Sequence, residues 1–147
     1  VDYSRSEYSP VHFEVLTAKR TDVLPRRLIW LFDQLSSLVK DWNPTEMAVE
    51  EPFAGRNLRS AMAIGQAQAV AMLAASSHDI DISNYSPSSV KQAVTDYGGS
   101  SKEQVQAMVS VLLGLGSIDV PSDAADALAV AICHINSSHM QQLVMTE

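Results

Sequence analysis

The chain has 147 residues, 46% of them hydrophobic, and 17 acids against 10 bases give it a formal net charge of −7. That length suits one domain with a sizeable core, and a lone cysteine, Cys133, excludes a disulfide framework and fits a reducing, cytoplasmic setting. No basic start leads into an apolar stretch of the secretory kind, and the acidic balance argues against the broad basic footprint of an ordinary nucleic-acid binder.

In chain order, Val11, Phe13, Val15 and Thr17 alternate with neighbours that are mostly polar, which predicts a half-buried strand. Leu24, Leu28, Leu31, Leu35 and Leu38 recur at four-three spacing, an amphipathic helix that starts near Asp22 and Pro25 and ends before Pro44. Met47, Ala48 and Val49 form a short apolar run, read as a buried strand ending at Glu50, because Pro52 stops sheet pairing. After a loop over 51–57, a helix runs from about Leu58 to Ser77; Gln66 and Gln68 and its short length argue against a membrane span. A strand over 80–85 leads to a helix from Pro87, a Gly98-Gly99-Ser100 turn, and helices over 101–113 and 122–136. Strands alternating with helices argue an α/β domain.

Asp123-Ala-Ala-Asp126 opens the last, strongly apolar helix, and the three-residue spacing puts both carboxylates on one face, one turn apart. Ser122 is placed to cap that helix, whose dipole favours anions in the first turn. Two ionised oxygens aimed at one place call for a cation, and hard oxygen ligands select Mg²⁺ or Mn²⁺. The competing reading is a solvated first turn. Glu50 lies at a strand's carboxyl end, where sites in open α/β sheets form, or else it simply meets water. His12, His78, His134 and His139 show no zinc spacing, His134 reads as a packed or capping residue, and Cys133 as a small core residue.

Val49-Glu-Glu-Pro-Phe-Ala-Gly-Arg-Asn57, Ile64-Gly-Gln-Ala67, Val90-Lys-Gln-Ala-Val94, Lys102-Glu-Gln-Val-Gln106 and Asp123-Ala-Ala-Asp-Ala-Leu-Ala129 occur in that order. Together they resemble RuvC, the bacterial Holliday-junction resolvase family, from about Leu24 to about Asn136. The resemblance implies an RNase H-like fold, with a mixed sheet covered by helices on both faces and one nuclease domain spanning 1–147. It implies a structure-selective endonuclease that cuts four-way DNA junctions symmetrically with divalent metal, Mg²⁺ or Mn²⁺, two ions per site. Glu50, Asp123 and Asp126 would be the catalytic metal ligands, with Lys91 and Lys102 near the scissile phosphate. Phe53, Arg56 and Asn57, with the two lysines, would contact DNA, Phe53 wedging into the junction or else anchoring its loop in the core. The small-residue helix over 58–77 would form a homodimer interface or be buried within one subunit. RuvA and RuvB would be partners.

The family's first strand carries a Gly-Ile-Asp-Pro-Gly motif whose Asp is a fourth carboxylate, and no such motif occurs here. With a start at Val1-Asp2-Tyr3, the chain is expected to be an N-terminal truncation lacking that strand. The alternative function is then a noncatalytic junction-binding module.

Overall fold

A computed structural model describes residues 1–52 and 58–145. The chain divides into two compact units, residues 16–84 and residues 1–15 with 85–147.

In the 16–84 unit, α1 (Leu24–Trp42) begins with a proline in its first turn, where the missing N–H is no loss, and ends at Asn43 in the left-handed conformation. Leu28, Leu31, Leu35 and Leu38 of its stripe are half-buried, Leu24 is exposed, and the helix packs against α2 (Leu58–Ser76). β3 (Glu46–Glu50) pairs with β4 (Asp81–Tyr85) in a two-stranded sheet. Between α2 and β4 the chain closes a Schellman motif: Ile80 N–H donates to the Ala75 carbonyl at 3.1 Å and Asp79 N–H to that of Ser76 at 3.2 Å. Asp79 takes the positive φ, 55°, that glycine usually supplies. The motif brings Ile80 and Ala75 into one core with Val39, against which Met47 and Ile82 pack. That core fixes the end of α2 beside the sheet whose β3 terminates at Glu50.

The other unit is built on α5 (Ser122–Met145), against which α3 (Pro87–Thr95) and α4 (Lys102–Leu112) pack. Ile132 and Cys133 of α5 and Val109 of α4 are fully buried, which confirms Cys133 as a core residue. α4 ends in a second Schellman motif, with Leu115 N–H on the Ser110 carbonyl at 2.9 Å and Gly114 N–H on that of Val111. Here Gly114 takes the positive φ, 60°, and Leu115 is buried. A hairpin of β1 (Asp2–Ser4) and β2 (Glu7–Ser9) joins this unit through the Tyr8 hydroxyl, which donates to Asn136 Oδ1, and through an edge-on contact of Tyr3 with His139.

The α/β class stands, with two short two-stranded sheets among the described residues rather than one mixed sheet, and the helices and the strands β3 and β4 lie where the sequence puts them. Three elements differ. The alternating stretch over 11–17 forms no strand, because among the described residues no neighbouring strand satisfies its backbone groups; Val11 and Val15 stay exposed. The β1–β2 hairpin replaces it nearer the start. α5 runs nine residues past Asn136, since no glycine or proline follows to break it, and the Ser137 hydroxyl is accommodated on the Cys133 carbonyl at 2.9 Å.

Candidate active site

The acid pair stands at the start of α5. Ala125 N–H donates to the Pro121 carbonyl at 2.9 Å, so the first turn begins at Ser122. Ala124 and Ala125 are buried, which turns Asp123 and Asp126 outward on the opposite side. Asp123 is exposed and Asp126 half-exposed. The expected cap by Ser122 is not what its side chain does: as the first helical residue, it accepts a hydrogen bond at 3.0 Å from the Gln106 amide.

Lys102 is delivered by a tightly wired turn. Thr95 Oγ1 bonds Ser100 Oγ at 2.7 Å, Gly98 N–H donates to Gln92 Oε1, and the Gln92 amide returns to the Asp96 carbonyl. The exposed Tyr97 ring folds over Gly99, with ring atoms 2.7 Å from where a Cβ would stand. Ser101 then caps α4 in a full capping box with Gln104. Lys102 is thereby the first residue of α4, and its Nζ lies 2.7 Å from Asp126 Oδ2. Lys102 and Gln106 are four residues apart on α4; their partners, Asp126 and Ser122, are four apart on α5 in the opposite order. Two i,i+4 pairs thus fix the register of α4 on α5. Gln106 lies inside a motif already visible in the sequence, but its role as a brace depends on that register.

The remaining site residues are placed as follows. Glu50 ends β3 and is exposed; the Gln68 amide donates to its backbone carbonyl, tying the strand end to α2. Lys91 lies in α3 and is half-buried, and its carbonyl accepts the Thr95 hydroxyl at 2.8 Å. Glu50 belongs to the 16–84 unit and Lys91, Lys102, Asp123 and Asp126 to the other. Phe53, Arg56 and Asn57 lie outside the described residues. His134 is buried on α5 and shares a hydrogen bond of 2.8 Å with the Tyr85 hydroxyl through Nδ1, a packed histidine.

Asp123 and Asp126 offer the hard oxygens that a divalent ion prefers. Among the described residues, no group of three or more His, Cys, Asp or Glu side chains stands together to hold a metal ion. One oxygen of the acid pair, Asp126 Oδ2, instead faces the Lys102 ammonium.

The family profile of crossover junction endodeoxyribonuclease RuvC matches residues 2–134. This chain belongs to the RuvC family. A RuvC of Dehalococcoides mccartyi strain 195 is 46% identical over 134 residues, 91% of this chain and 81% of that protein. A RuvC of Ruminiclostridium cellulolyticum is 40% identical over 144 residues, covering 98% and 87%. Among solved structures, Thermus thermophilus RuvC in complex with a Holliday junction substrate superposes with a TM-score of 0.88 at 29% identity, over 96% of this chain and 86% of that one. The five motifs thus identify the RuvC family correctly, and with it an endodeoxyribonuclease of a metal-dependent class.

Proposed function

We propose that this chain resolves four-way DNA junctions by hydrolysing phosphodiester bonds at the start of α5, with residues 1–147 acting as one nuclease domain. The observation that carries the reading is the Lys102–Asp126 pair beside Asp123, in a chain that matches RuvC from residue 2 to residue 134.

The reaction is an in-line displacement: a water oxygen forms a bond to phosphorus, and the bond to the 3′-oxygen breaks. When bound, a pair of divalent ions, Mg²⁺ or Mn²⁺, supplies an activated water and stabilises the leaving oxygen. Asp123 and Asp126 contribute oxygens on one helical turn, and Glu50 is the third ligand by its match to the family motif. Lys102 is held against Asp126, placed to meet the charge that develops on the phosphate. Lys91 has the same role by motif alone, as do Phe53, Arg56 and Asn57 as DNA contacts.

Homodimerisation is supported by α2. Leu58, Met62, Ala69 and Leu73 follow one another at helical spacing, and all are exposed. Such an apolar stripe on a helix that also buries Val70, Ala74 and Ala75 suits a second copy of the chain. RuvA and RuvB, and a cytoplasmic location, belong to the proposal through the family; no described helix is long and apolar enough to cross a membrane.

The test is Asp126→Asn assayed on a mobile four-way junction and on linear duplex. Retained junction binding with lost nicking is expected, and equal loss of both would remove Asp126 from the chemistry. If the parent chain binds junctions and never nicks them with Mg²⁺ or Mn²⁺, the noncatalytic junction-binding module is correct instead.

A further inference from the structure

The net charge of −7 hides a segregation. Lys19, Arg20, Arg26 and Arg27 fall within nine residues that contain a single acid, Asp22; everywhere else, sixteen acids face six bases. The four lie in one unit, on a turn closed by Asp22 N–H to the Lys19 carbonyl at 3.2 Å and on the first turns of α1 that follow it. All four side chains are exposed, and among the described residues none forms an ion pair.

Their placement is electrostatically unfavourable for the free protein. α1 has no acid in its first turn, and Val23 at its cap supplies no side-chain acceptor. Arg26 and Arg27 therefore add positive charge at the positive end of the helix dipole, where acids are preferred. Four exposed like charges within nine residues gain nothing from each other, so the cluster contributes nothing to stability. It would be relieved by a polyanion with regularly spaced charges.

Resting on the reading of this chain as a junction nuclease, we infer that Lys19, Arg20, Arg26 and Arg27 form a phosphate-tracking surface that grips the sugar–phosphate backbone of a duplex arm. Its contacts are with phosphates, so it positions the junction without reading sequence. It also supplies the local basic footprint that the acidic whole lacks.

The experiment is a salt titration of junction binding by the full chain, followed by fluorescence anisotropy of a labelled immobile junction. The variant carries Lys19→Gln, Arg20→Gln, Arg26→Gln and Arg27→Gln together; a control carries Arg5→Gln and Lys40→Gln, two exposed cations elsewhere. With all four groups on phosphates, the slope of log K against log salt falls by about 3.6, and affinity near 0.1 M salt drops roughly 10³-fold. The control keeps nearly the parental slope, and the melting temperature of the fourfold variant is unchanged or raised. A parental slope in the fourfold variant, or an equal slope loss in the control, overturns the inference. Failure of the parent chain to prefer junction over duplex would instead sink the functional reading beneath it.

Discussion

Lys102 and Asp126 are each close to half exposed, with side-chain accessibilities of 50% and 43%, and that decides what their ion pair is for. A solvent-screened pair is worth about 0.2–1 kcal/mol. Asp126→Asn should therefore change unfolding free energy by less than about 1 kcal/mol, read from thermal or urea melts. Nicking of a junction by the same variant should fall by at least about 10²-fold, the size of effect seen when a charge-stabilising group leaves an active site. Cys133 gives the opposite kind of prediction. Burial pushes its thiol above the usual range, outweighing its bond with Ser137. The folded chain should thus react slowly with iodoacetamide at pH 8, and unfolding in urea should speed the reaction sharply. The sign for stability follows from the raised value: this contribution is present below the thiol's ordinary pKa and is lost as pH climbs through the folded one.

At the scale of elements, the helices were legible because their periodicity is strong and their punctuation conventional. Pro25 opens α1, Pro87 follows the Ser86 cap of α3, and the Ser101 box opens α4. Ser101→Ala removes the acceptor for Gln104 N–H and should destabilise the chain by about 1 kcal/mol in an equilibrium melt. It should also lower cleavage, because Lys102 is the next residue. The β1–β2 hairpin could not be read in the same way. Its turn places Arg5 and Ser6 at φ 52° and 64°, a geometry normally announced by Asn-Gly or Gly-Gly. Alternation over 11–17 misled for a different reason: period-two hydrophobicity says which face would be buried, not whether a partner strand exists. The candidate acids Asp123 and Asp126 were marked by their spacing, and Lys102 by its place at a helix start. The Gln106–Ser122 brace was not, since it depends on the register of two helices that nothing local in the sequence specifies.

At the scale of the whole molecule, the apolar stripe of α2 makes a prediction about assembly. Met62→Lys with Leu73→Lys puts two charges on exposed positions, so the monomer should keep its melting temperature. Sedimentation velocity should shift from dimer toward monomer, and paired nicks on a junction should give way to single ones. The order of the two units along the chain matters in a separate way. Residues 16–84 are continuous, whereas the other unit joins residues 1–15 to 85–147. On a ribosome, α1, β3, α2 and β4 are complete before α3 emerges, while Tyr3 and Tyr8 must wait for the segment carrying Asn136 and His139. Contacts separated by 128 residues close late, since loop entropy opposes them until the rest is in place. In pulse-labelled hydrogen exchange during refolding, amides of α1 and α2 should gain protection before those of the hairpin. The hairpin is then the last piece fastened, and the unit that carries Asp123 and Asp126 matures after the segment that houses Glu50.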